Sequence, residues 1–241
     1  MKKLTSVLMA TLFLLSLSAQ AFAANNTAIS SGSAVSSVVE LTAEAAPTSF
    51  YVPFGTITAQ SDLDPNEWYY EGVNYCLKNK IMDGYDDGTF RPTEPTTRAM
   101  LVQILWNLEK KPRSNTELAF NDVSDQWFTP AVRWATEIGL VIGYDNGDFG
   151  PEDIITREQM AAILYRYAKY KTGELVGDPL HAYEDAAKIS DYAVEAMEWA
   201  CGAGVIIGTS DTMLSPLDSA TRAQIATIMM RYMTKYGGAG A

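Results

Sequence analysis

Three arginines stand in the same local setting: Thr97-Arg98, Thr156-Arg157 and Thr221-Arg222. Each pair opens a stretch whose apolar residues recur at helical spacing, which makes the threonine an N-cap and puts the arginine at the first helical position. A cation there opposes the helix macrodipole by about 0.3 to 1 kcal/mol, so keeping it three times suggests a use. Free amides at a helix start suit an anion, and a guanidinium beside them can hold a carboxylate or phosphate bidentately. The competing readings are inheritance through duplication and pairing with a neighbouring acid such as Glu94 or Asp153. The anion site is preferred because most other columns of the repeated unit have diverged.

Other chemistry is thinly supplied. His181 is the single imidazole, in a polar stretch after Asp178-Pro179, with no nucleophile motif to accompany it; no enzyme is expected. Asp83 to Glu94 superficially fits a calcium loop, with Asp87, Gly88 and Glu94 at suitable places. Tyr85 occupies a ligand position, however, and the other two units begin that loop with Ile142 and Ile207. Gly88 and Gly147 read better as turn residues, and neither metal nor cofactor is expected.

The elements that must position the arginines come as one unit written three times. Gly84-Tyr-Asp-Asp-Gly-Thr-Phe90 aligns with Gly143-Tyr-Asp-Asn-Gly-Asp-Phe149 and Gly208-Thr-Ser-Asp-Thr-Met-Leu214, at offsets of 59 and 65 residues. Such a period marks a repeat architecture, in which units too small to bury a core alone share one. Each unit reads as helix, loop, helix. Trp127, Ala131, Ala135 and Ile138 define a first helix. Leu101, Ile104, Leu105 and Leu108, with Met160, Ile163, Leu164 and Tyr167 and then Ile225, Ile228, Met229 and Tyr232, define the second helices. These stripes are core. Glycine at 84, 143 and 208 is expected to end the first helix or turn the chain with positive φ. Pro92, Pro151 and Pro216 fix the loop ahead of the second helix. Gln159 and Gln224 complete capping boxes, where the first unit has Met100.

Met1-Lys2-Lys3, the apolar run from Leu8 to Leu17 and Ala21-Phe22-Ala23 read as a secretory signal peptide over residues 1–23. Residues 24–60 form a Ser/Thr/Ala-rich linker. The units occupy 61–116, 117–180 and 181–241, the last with a short Gly/Ala tail. No transmembrane anchor is expected, since no later run is long and apolar enough. The net charge is -11 from 29 acids and 18 bases, and it becomes more negative once Lys2 and Lys3 leave. That excludes nucleic acid as a partner. Cys76 and Cys201 are the only cysteines; a bridge between first and last units is possible, and two buried thiols are the preferred reading.

Phe120-Asn-Asp-Val123, Trp127, Ala131-Val132, Gly143, Phe149, Pro151 and Ile155-Thr-Arg-Glu-Gln159 together resemble the S-layer homology (SLH) repeat of bacterial surface proteins. Tyr183-Glu-Asp185 and Ala220-Thr-Arg-Ala-Gln224 carry the likeness into the third unit, and Trp68, Gly84, Phe90, Pro92 and Thr96-Thr-Arg-Ala-Met100 into the first. The resemblance implies an all-α, pseudo-threefold, three-pronged module, secreted and associated with the cell wall or S-layer. It also implies binding of secondary cell wall polysaccharide, often through a pyruvate ketal. Arg98, Arg157 and Arg222 would then meet the ketal carboxylate in grooves between prongs, beside Thr97, Thr156 and Thr221. Asp122, Asp185, Trp127, Gly84, Gly143 and Gly208 would line the same grooves. The first unit departs from the pattern with Ser61-Asp62-Leu63-Asp64, and the third with Tyr192 and with Gly208-Thr-Ser. Most weight therefore falls on the Arg98 and Arg157 grooves and least on Arg222. The alternative is a structural protein that self-assembles or docks other surface-layer proteins without binding glycan.

Overall fold

The computed structural model describes residues 60–180 and 183–237. The expected signal peptide, the linker up to residue 59, and His181 lie outside them. Among the described residues six helices run in order: α1 (Tyr70–Lys78), α2 (Arg98–Leu108), α3 (Thr129–Glu137), α4 (Arg157–Thr172), α5 (Val194–Gly202) and α6 (Arg222–Tyr236). Two short 3-10 turns, Ala186–Lys188 and Asp191–Ala193, lead into α5. Among the described residues there are only isolated bridges outside the helices, so the fold is all-α, as expected.

The second helices begin where their caps dictate. The hydroxyls of Thr97, Thr156 and Thr221 accept hydrogen bonds from the amides of Met100, Gln159 and Gln224, and Gln159 and Gln224 return the bond to complete capping boxes. The first helices have no side-chain cap. They end on Lys80, Gly139 and Gly204, which take left-handed φ values of 55, 70 and 68°. The expectation that Gly84, Gly143 and Gly208 end these helices is thus corrected, because the stop lies four residues earlier. Only Gly143 has a positive φ, at 80°. Close packing accounts for the column: a Cβ there would lie 2.3 Å from the Gln60 side chain, 2.5 Å from Phe120 and 3.0 Å from Tyr183, respectively.

Helix pairing differs from a stack of hairpins. α3 packs on α2, α5 on α4, and α1 on α6. Each first helix therefore lies against the second helix of the preceding unit, and the first unit closes on the last. The apolar stripes meet in these pairs: Leu101, Leu105, Met160, Leu164, Ile225 and Met229 are fully buried. Cys76 lies in α1 and Cys201 in α5, both as free thiols. Burial pushes them up to about 12 and about 11, Arg157 drawing Cys201 partly back.

The segments before the second helices meet in a hydrogen-bonded cycle. The amide of Thr96 donates to the carbonyl of Ala220 (3.0 Å), Ala220 to Ile155 (2.9 Å) and Ile155 to Thr96 (2.9 Å). One step on, the amides of Arg98, Arg157 and Arg222 donate to the carbonyls of Asp153, Asp218 and Glu94, and those of Ala99, Glu158 and Ala223 to Pro151, Pro216 and Pro92. The premise of free amides at these helix starts is therefore corrected. The first two amides are taken by another unit's loop and the third by the threonine.

Candidate functional site

Each loop is built around one carboxylate. Asp62 accepts from the amides of Phe90 and Arg91, both at 2.7 Å. Asp122 accepts from Phe149 (2.8 Å) and Gly150 (2.7 Å), and Asp185 from Leu214 and Ser215, both at 2.8 Å. The second donor of each pair is left-handed, with φ of 58, 70 and 52°. That conformation costs a non-glycine residue about 1–2 kcal/mol, which two charge-assisted hydrogen bonds offset. Burial alone would raise the Asp185 carboxyl, but the amides of Leu214 and Ser215 outweigh it and hold it below its usual range.

The carbonyl of the first donor then meets an arginine from another unit. Nε of Arg98 donates to Phe149 (2.9 Å), Nε of Arg157 to Leu214 (2.8 Å) and Nε of Arg222 to Phe90 (2.7 Å). Nη2 of Arg157 also reaches the carbonyl of Ile207 (2.8 Å), and Nη2 of Arg222 that of Asp83 (2.9 Å). The side chains are only 7%, 3% and 7% exposed. Burial lowers the basicity of Arg157 and Arg222, though a guanidinium stays charged. The arginines therefore have a structural use that the sequence did not disclose: each clamps the next unit's loop. Among the described residues, Nη1 of Arg157 and of Arg222 makes no hydrogen bond.

The arginines consequently meet different loop residues. Arg98 lies over the rings of Tyr144 (4.6 Å) and Phe149 (5.1 Å), and Arg222 over Tyr85 (4.8 Å) and Phe90 (4.5 Å). Arg157 faces the third unit's loop, where Thr209 and Leu214 replace those rings. The sequence placed least weight on Arg222 because the third unit's loop has diverged. The divergence of the third unit falls instead on Arg157.

The aromatic column is exposed. Trp68, Trp127 and Tyr192 are 61%, 55% and 57% exposed. Trp127 lines a cavity of about 150 Å³ with Met82, Asp83, Gln103 and Arg222, so all three units contribute to it. The buried Oε1 of Gln103 has no hydrogen-bond partner among the described residues. Tyr192 is fixed by its hydroxyl, which donates to the buried Glu158 (2.9 Å).

Of the residues singled out in the sequence, Trp127 and Arg222 are brought to one cavity. Asp122 and Asp185 connect through Phe149 and Leu214 to Arg98 and Arg157. The threonines serve as caps and the glycines as close-packing positions. Asp62, Tyr85, Tyr144 and Gln103 were missed. Asp62 had a legible signal: it precedes the loop whose amides it accepts by 28 residues, as Asp122 and Asp185 do by 27 and 29. The loop that could have held calcium closes on itself. Hydrogen bonds from Thr89 and then Arg91 hold the Asp87 carboxyl at about 2.

Three capped, cross-clamped units in a closed cycle define a tandem helical-repeat module, and the chain belongs to the S-layer homology domain family, matched at residues 61–99, 119–161 and 182–226. It is 30% identical over 176 residues to an endoglucanase of Bacillus sp. (strain KSM-635), covering 73% of this chain and 19% of that protein. It is 25% identical over 177 residues to an S-layer protein of Bacillus thuringiensis subsp. finitimus, covering 73% and 21%. With the cellulosome-anchoring protein of Acetivibrio thermocellus it shares 28% identity over 164 residues, covering 64% and 36%. The chain thus spans between 19% and 36% of the length of these curated relatives. No helix among the described residues is long and apolar enough to cross a membrane.

Proposed function

We propose that this chain is a secreted, non-catalytic module that anchors to a cell surface by binding wall polysaccharide in the seams between its repeats. The observation that carries the reading is the pairing, across one seam, of Trp127, 55% exposed, with Arg222, held by two carbonyls while Nη1 faces no described partner. An exposed indole suits the apolar face of a sugar ring, and a fixed guanidinium suits an acidic substituent such as a pyruvate ketal. The Arg98 and Arg222 grooves, each with a tyrosine over the guanidinium, are the stronger candidates. Proteins named as an endoglucanase, an S-layer protein and a cellulosome-anchoring protein share this segment, which supports attachment as the common role.

A second reading has its own support. Every arginine of the set is buried in a clamp, as a scaffold that assembles or docks other surface-layer proteins would require. Sedimentation with wall sacculi, intact or stripped of secondary polymer, separates the two. Binding is expected to the intact preparation alone. Trp127→Ala is expected to weaken it roughly fivefold through loss of about 1 kcal/mol of stacking, with the thermal midpoint unchanged. Equal sedimentation with both preparations, together with concentration-dependent assembly in solution, would favour the scaffold.

A further inference from the structure

A second cavity, of about 680 Å³, lies where the C-terminal ends of α1, α2, α4 and α6 converge. Arg98 and Arg222 occupy the first positions of α2 and α6. The 11 residues of α2 alone put roughly 15 Å between its two ends. The volume is in the range of small-ligand sites, and the lining mixes aromatic faces with polar groups. Tyr167, Tyr232 and Tyr236 form a contiguous aromatic wall, with ring centroids 5.5 and 5.2 Å apart. Tyr75 adds a further ring. Tyr167 donates its hydroxyl to Glu109, and Lys171 reaches the same carboxylate at 2.9 Å. Tyr232, only 3% exposed, is different: its hydroxyl makes no hydrogen bond with any described residue. That hydroxyl is not a sealed, unsatisfied group; it borders the cavity, where a ligand oxygen can reach it.

The rim is cationic in a chain of net charge -11. Lys80, Lys110 and Lys111 line the cavity, and among the described residues none of their ammonium groups joins an ion pair or hydrogen bond. Asp83 is the acid left to oppose them once Glu109 is held by Lys171. All three lysines are left-handed, with φ of 55, 60 and 59°. At the position of Lys80 the sister units have Gly139 and Gly204, which take that conformation freely. Lys80 takes it without glycine's freedom, which places its side chain at the cavity rim.

We propose that this cavity is a second binding site, distinct from the grooves, that takes an acidic saccharide. Sugar rings pack on the half-buried rings of Tyr75 and Tyr236, a sugar oxygen partners the Tyr232 hydroxyl, and the carboxylate meets the lysine rim. The inference does not depend on the groove reading. Isothermal titration of the whole protein at low salt with trigalacturonic acid, and with neutral maltotriose, tests it. Trigalacturonate is expected to bind and maltotriose not. The double variant Lys80→Gln/Lys110→Gln is expected to weaken binding about tenfold, and Tyr232→Phe about fivefold. No heat with trigalacturonate, equal affinity for maltotriose, or unchanged affinity in both variants would overturn it. Sacculus sedimentation of Trp127→Ala reports on the grooves alone, so the two readings fail separately.

Discussion

Asp185 shows how much of each loop depends on one side chain. Its two oxygens hold two successive amides, one of them on a left-handed serine, and its carboxyl is held below the ordinary 3.8. A lowered folded value means that the stabilisation is complete above the unfolded value and is lost as pH falls through the folded one. Asp185→Asn replaces one acceptor with a donor aimed at an amide. At pH 7 this is expected to reduce unfolding free energy by about 1–3 kcal/mol and to flatten the loss of stability between pH 5 and 3. Urea midpoints measured across that range check it, and parallel profiles for variant and parent would refute the linkage. At this scale the sequence was legible wherever partners are close. The threonine caps act over three residues and were placed correctly. The acceptors of Arg98, Arg157 and Arg222 lie 51, 57 and 132 residues away, and no local pattern announces a carbonyl at that distance.

Helix identity followed from periodicity, because a stripe of Ile, Leu and Met at helical spacing has to face something apolar. The stripe says that the units share a core but not which helix covers it, and the structure supplies the pairs: α2 with α3, α4 with α5 and α6 with α1. The α1–α6 seam illustrates how tight that choice is. A Cβ on Gly72 would lie 2.7 Å from the Cα of Thr227 and 2.9 Å from its backbone nitrogen, and the Cys76 thiol donates to the carbonyl of Ala226 nearby (3.4 Å). Backbone cannot rotate aside as a flexible side chain can. Gly72→Val is therefore expected to destabilise by about 1–3 kcal/mol, seen as a lower urea midpoint. A midpoint equal to the parent's would mean that the two helices do not pack at this distance.

For the whole molecule, the threefold repeat was plain in the alignment, whereas the order in which units clasp one another was not. One consequence is that no unit is complete alone. Residues 117–180 hold α3 and α4, whose main helical partners are α2 and α5. That fragment is expected to be largely unfolded by far-ultraviolet circular dichroism, while residues 60–237 melt as one cooperative unit. A folded middle fragment would contradict the exchange. The cycle also has three seams but only two connecting segments: the chain runs directly from α2 to α3 and from α4 to α5, and the joint between α1 and α6 is held by non-covalent contact. A clasp of that kind is reversible. If α1 of one molecule settles on α6 of the next, the contacts are the same ones, and a closed ring becomes a link in an open chain. Protomer concentration and the wait for the clasp to open would then decide between the two forms.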